Sequence, residues 1–166
     1  MPAGEVEQAL LAKEIEPDRA KLLGRLARGL VGWALDAASD ESLVSDSLAL
    51  RDRLIGVVRD GLMARLDYAA ELAGIFGRDR QKASEILEIW RDWWHDLMLA
   101  KLGISESIIN VDRLAEINEM ASGMKLEDIR KFIGDIERAE AELRQNASPR
   151  LVLEVLALNI PEVKNG

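Results

Sequence analysis

EILEIWRDWWHDLMLAKLG, Glu85 to Gly103, carries three of the four tryptophans and the single histidine of the 166-residue chain. Its spacing decides the fold. Trp90, Trp93, Trp94 and Leu97 fall at i, i+3, i+4 and i+7, which lays them along one face of a helix running from about Asp79 to Leu102 and closed by Gly103. Bulky rings at that spacing read as core, with each indole N–H expected to find a hydrogen-bond partner; a ligand-stacking or partner-binding aromatic face is the minor alternative. His95 follows the rings, and Asp92 lies three residues before it. An acid-x-x-His pair is half of a carboxylate-bridged dimetal site in a bundle, but the other half needs a second histidine. The chain has only one, so no metal is expected.

Outward from this helix the same grammar continues. Strings of Ala, Leu, Glu, Arg and Lys with a 3.6-residue period fill the intervals between four prolines, and strands are hard to place. Short helices are expected over Val6–Ala12 and from Pro17 to Gly29, the second carrying Ala20, Leu23, Leu26 and Ala27 on one face. A third begins near Val31 and bends or breaks around SDESLVSDS, where Ser39, Asp40, Ser42 and Asp46 compete for backbone hydrogen bonds; Leu48–Leu62 then resumes the apolar period. The principal boundary is therefore placed between Asp40 and Ser47. A helix over Ala64–Ile75 ends at Gly77, which, like Gly103, can take the left-handed C-cap conformation.

In the second half, Asn110 is the expected N-cap of a helix over Val111–Ala121, and Gly123 closes it. Leu126, Ile129, Ile133, Ile136 and Ala139 stripe a long helix that Asn146 ends. Ser148 caps the last helix and Pro149 takes its first position. Leu151, Leu153, Val155, Leu156 and Leu158 leave it so little polar surface that it is expected to be surrounded. The fold class is all-α, an antiparallel helical bundle with short connections.

Composition narrows the function classes. A formal charge of -8, spread over interleaved acids and bases, disfavours general nucleic-acid binding. With no cysteine there is no disulfide framework, thiolate metal site or cysteine nucleophile, which suits a reducing cytoplasmic setting. The opening residues lack the pattern of an export signal, and nowhere do about 18 apolar residues run together, so no membrane association is expected. A serine triad could draw only on His95, and neither a nucleophile elbow nor a phosphate loop is present. Glu85 with Glu88, and Asp135 with Glu142, read as solvated helix faces. No catalytic residue, cofactor site or metal site is assigned.

Three stretches together resemble the bacterial DNA polymerase III clamp loader, in particular the C-terminal region of its delta-prime subunit. RAKLLGRLARGLVGWALDAASD, Arg19 to Asp40, is similar to the lid of an AAA+ module with its G-x-x-x-x-A-L signature, here Gly29, Leu30, Val31, Gly32, Trp33, Ala34 and Leu35. ATP-hydrolysing clamp-loader subunits place the sensor 2 arginine at the fourth position, which is Gly32 in this chain. A small residue there resembles delta-prime rather than gamma or tau, although Arg28 stands close enough in sequence to deputise. The tryptophan helix is similar to the long collar helix of the family. The third stretch runs from the Asn110 motif NVD to QNASPRLVLE, Gln145 to Glu154, and resembles the family's closing helices through Asn146, Ser148, Pro149, Arg150, Leu151 and Glu154.

The likeness spans about Val6 to Pro161 and implies a remnant of the lid over residues 1–40 and a helical collar over 41–166, with an ATPase-like module missing. It implies a non-catalytic oligomerisation domain whose partners are gamma/tau-type and delta-type clamp-loader subunits, acting in sliding-clamp loading during DNA replication. A gamma/tau-type C-terminal domain and an unrelated helical adaptor or regulator are the alternatives.

Overall fold

A computed structural model describes residues 1–164 of the chain. These are all-helical: α1 (Ala3–Leu11), α2 (Pro17–Leu26), α3 (Val31–Ser39), α4 (Glu41–Arg59), α5 (Leu62–Arg78), α6 (Arg80–Lys101), α7 (Leu114–Ser122), α8 (Leu126–Arg144) and α9 (Pro149–Leu158), with a 3-10 turn at Val111–Arg113 before α7. Side-chain caps open four of these helices, α2, α4, α6 and α9. The Glu16 carboxylate accepts from the backbone N–H groups of Asp18 and Arg19, and Pro17 needs no donor at the first position of α2. Asp79 ends α5 and also caps α6, accepting from Lys82 N at 3.1 Å.

Several expected boundaries move. Helix α1 starts at Ala3 rather than Val6. The SDESLVSDS segment breaks only at Asp40, whose carboxylate accepts from Ser42 N and Ser42 Oγ; from Glu41 onward α4 runs unbroken to Arg59. Leu43 and Val44 pack on the first apolar cluster, and that burial outweighs the poor helix propensity of the serines around them. Gly77 stays inside α5, whereas Gly103 takes a left-handed φ of 75°. Asn110 makes no capping bond, and a 3-10 turn precedes α7.

The helices enclose two apolar clusters. The smaller joins Val6 and Leu10 of α1, Ala20, Leu23 and Ala27 of the α2 segment, and Ala34 and Ala37 of α3. Gly24 permits the close crossing of α1 and α2, since a Cβ there would meet the Ala3 carbonyl oxygen at 3.0 Å. The larger cluster is built on α4 to α9 around α6, which packs on α4, α5, α7 and α8. Arg65 of α5 donates to the Ile160 carbonyl at 2.8 Å, so the start of α5 meets the end of α9 and the two helices pack antiparallel. Helix α4 serves both clusters, Leu43 and Val44 in the first and Leu54, Ile55, Val57 and Val58 in the second.

Candidate interaction surface

The tryptophan face of α6 is interior. Trp90, Trp93, Trp94 and Leu97 are all buried; Trp90 stacks on Tyr68 at 5.8 Å between ring centroids, and Trp94 meets Phe132 edge-on at 4.6 Å. Only one indole satisfies the hydrogen-bond expectation among the described residues. Trp90 Nε1 donates to Tyr68 Oη at 3.4 Å, while the Nε1 groups of Trp93 and Trp94 are buried without a partner. Apolar packing outweighs those two lost bonds, because each ring is enclosed on every side.

The acid–histidine pair does not form a ligand set. Asp92 is engaged by Arg28 Nε at 2.5 Å and His95 is half-buried beside it, and no group of three or more His, Asp or Glu side chains able to hold a metal occurs among the described residues. Burial pushes the Asp92 carboxyl above the usual range, and the adjacent Arg28 guanidinium pulls it back. Asp135, expected on a solvated face, lies on the buried side of α8 with Arg138 beside it at 3.4 Å.

A polar network that periodicity alone does not disclose fixes the segment after α6. Asp96 is fully buried and accepts from Ile109 N at 2.9 Å, Asn110 N at 2.8 Å and Asn110 Nδ2 at 2.7 Å. Burial raises the Asp96 carboxyl, and these three bonds oppose the rise. The Asn110 Oδ1 atom in turn accepts from buried Arg51, which also pairs with Asp112 at 2.8 Å. Asn110 thus spends its side chain on tertiary contacts, which is why it cannot cap a helix. The sequence signal was the Asp96 carboxylate next to Leu97 of the tryptophan stripe, where a charge without a partner could not stay.

The last helix departs from expectation in a way that matters for function. Ser148 Oγ accepts from Leu151 N at 3.5 Å, Pro149 holds the first position, and Arg150 pairs with Glu154 at 2.9 Å on the surface. Asn146 ends the preceding helix with a left-handed φ of 61°. Val152, Leu153, Leu156, Ala157 and Ile160 are buried against α5 and α8. At 100° per residue, Leu151, Val155 and Leu158 point the opposite way, and they are 61%, 49% and 53% exposed. The helix is therefore apolar on two faces and covered on one. Leu62 and Met63, at the α5 end that meets the end of α9, are also exposed.

Gly32 lies in the first turn of α3, exposed, with no atom within 4 Å of a Cβ built there. Arg28 is not free beside it, since its guanidinium sits on α6 between Asp92 and Glu88, the latter at 3.8 Å. No helix among the described residues is long and apolar enough to cross a membrane.

A closed helical core, polar seams made of arginine–carboxylate pairs and one uncovered aliphatic face define a helical packing domain. The chain belongs to the family described as DNA polymerase III, delta subunit, C terminal, whose family model matches residues 45–162. That is a clamp-loader family, its domain is non-catalytic, and membership implies association with other clamp-loader subunits. No curated protein and no solved structure matches the chain.

Proposed function

We propose that this chain acts as the oligomerisation part of a delta-prime-type clamp-loader subunit, with a lid-type segment over residues 1–40 and a collar over 41–166 that binds gamma/tau-type and delta-type subunits in the cytoplasm. The family match over 45–162, on a bundle whose closing helix leaves Leu151, Val155 and Leu158 uncovered, carries the reading. An exposed aliphatic stripe with no charge in it is the kind of face another helical domain covers. Gly32 supports the delta-prime assignment, because a residue without a side chain cannot supply the guanidinium that the sensor 2 arginine brings to a nucleotide phosphate. Arg28, held by Asp92 and Glu88, is spent on the bundle and does not substitute for it. The net charge of -8 argues against direct capture of DNA by this part.

The test mixes the chain with the C-terminal domains of its gamma/tau-type and delta-type counterparts and follows complex formation by size-exclusion chromatography. Val155→Glu should abolish co-elution while leaving the circular dichroism spectrum intact, since that side chain points to solvent. A chain that stays apart from both counterparts at micromolar concentration would sink the assignment.

A further inference from the structure

The two apolar clusters are joined by a seam built unlike either of them. Helices α1 to α3 pack on one another, and α3 on α4, but none packs broadly on α5 to α9. Clefts of about 780, 590 and 310 Å³ open along the seam instead. Buried Leu26 and Ile89 border the last of these and belong to neither core. Beside that small apolar contact, the polar contacts that cross the seam come from two arginines. Arg25 donates to the Ile108 carbonyl at 2.9 Å and to the Glu106 carbonyl at 2.6 Å, and Arg28 reaches Asp92 and Glu88 on α6.

Arg28 does so from a left-handed backbone with a φ of 47°, followed by Gly29 at 84°. Glu14 and Asn146 take the same conformation after α1 and α8, so this is a helix-ending turn, closed by the Leu30 N–H on the Ala27 carbonyl at 2.8 Å. The loop that receives Arg25 is itself anchored, because Ile109 and Asn110 donate to Asp96. The one continuous element across the seam is α4. Its first turn is tied to the small unit through Arg19 and Glu41 at 3.2 Å, and from Leu50 onward it packs in the bundle. Between them lies Ser45-Asp46-Ser47, three poor helix formers placed where neither core supports the helix.

We propose that residues 1–44 form an arm hinged in α4 at Ser45 to Ala49 and held against the bundle by a two-arginine latch, Arg25 on the Glu106 and Ile108 carbonyls and Arg28 on Asp92 and Glu88. Releasing the latch lets the arm swing while both cores stay folded. The arm could then adopt a second orientation that uncovers Leu26 and Ile89 at the seam but leaves the side chains of both clusters in place. The proposal does not depend on which assembly the chain joins.

The absence of cysteine allows a clean pair of spin labels, at Gln8→Cys in α1 and Lys131→Cys in α8, both exposed. With the latch intact, pulsed electron paramagnetic resonance should give one narrow distance distribution. Arg25→Ala with Arg28→Ala should broaden it and speed hydrogen exchange at residues 45–49, with the near-ultraviolet circular dichroism of the tryptophan core unchanged. Adding Ser45→Ala and Ser47→Ala to that variant should narrow the distribution again by stiffening α4. If the double variant does not fold, Arg28→Lys, which keeps the charge and loses the fork, replaces it and should still broaden the distribution. A distribution as narrow as the parent's in whichever folded latch variant is measured overturns the proposal.

Discussion

Trp93→Ala should destabilise the chain by about 3–5 kcal/mol, within the range for large-to-small changes in a filled core. The ring is fully enclosed, and burying an aromatic side chain of this kind removes about 150–250 Å² from water, worth about 4–6 kcal/mol at about 25 cal/mol/Å². Against that, its Nε1 has no hydrogen-bond partner, and deleting an unsatisfied buried donor returns about 1–3 kcal/mol. The cavity left where α6 and its neighbours cannot collapse adds to the cost and offsets that return. Urea unfolding followed by far-ultraviolet circular dichroism measures the difference, and a shifted midpoint with an unchanged slope assigns it to stability. Trp93→Phe separates the two terms, because it keeps most of the apolar volume and removes the orphan donor; it should cost less than about 1 kcal/mol. Trp90→Phe should cost more, since it breaks the bond to Tyr68 and shrinks the stack on that ring. A Trp93→Ala variant within about 1 kcal/mol of the parent, or equal costs for the two phenylalanine variants, would refute the reasoning.

Tyr68 is the chain's one tyrosine, and burial pushes its hydroxyl above the usual value near 10, so the tyrosinate absorbance should appear at higher pH than in the unfolded chain. Because the native state keeps that proton longer, stability should be intact below pH 10 and fall as pH rises toward the native value; Tyr68→Phe should lack this loss, and a normal titration would contradict the burial argument. Two glycine substitutions should diverge: Gly32→Ala, exposed in a helix with nothing nearby, should raise stability by about 0.5–1 kcal/mol, whereas Gly24→Ala should lower it by forcing α1 from α2, both read from urea midpoints. Ser148→Ala should cost about 1 kcal/mol through the lost cap of α9 without abolishing the fold, as a thermal melt would show.

The sequence by itself determined the helices and most of their inward faces. The spacing of Trp90, Trp93, Trp94 and Leu97 could be satisfied only by a helix with one buried side, and Pro17 and Pro149 could sit only at first helical positions. Tertiary structure decided the rest, because it depends on neighbours that local pattern cannot count. Whether SLVSDS bends or continues rested on Leu43 and Val44 finding a core to enter, and whether Asn110 capped a helix rested on Asp96 being buried within reach of it. The same holds for α9, whose composition predicted burial all round. How many of its faces are covered is set by how many helices surround it, and in this chain α5 and α8 cover one side and leave Leu151, Val155 and Leu158 open.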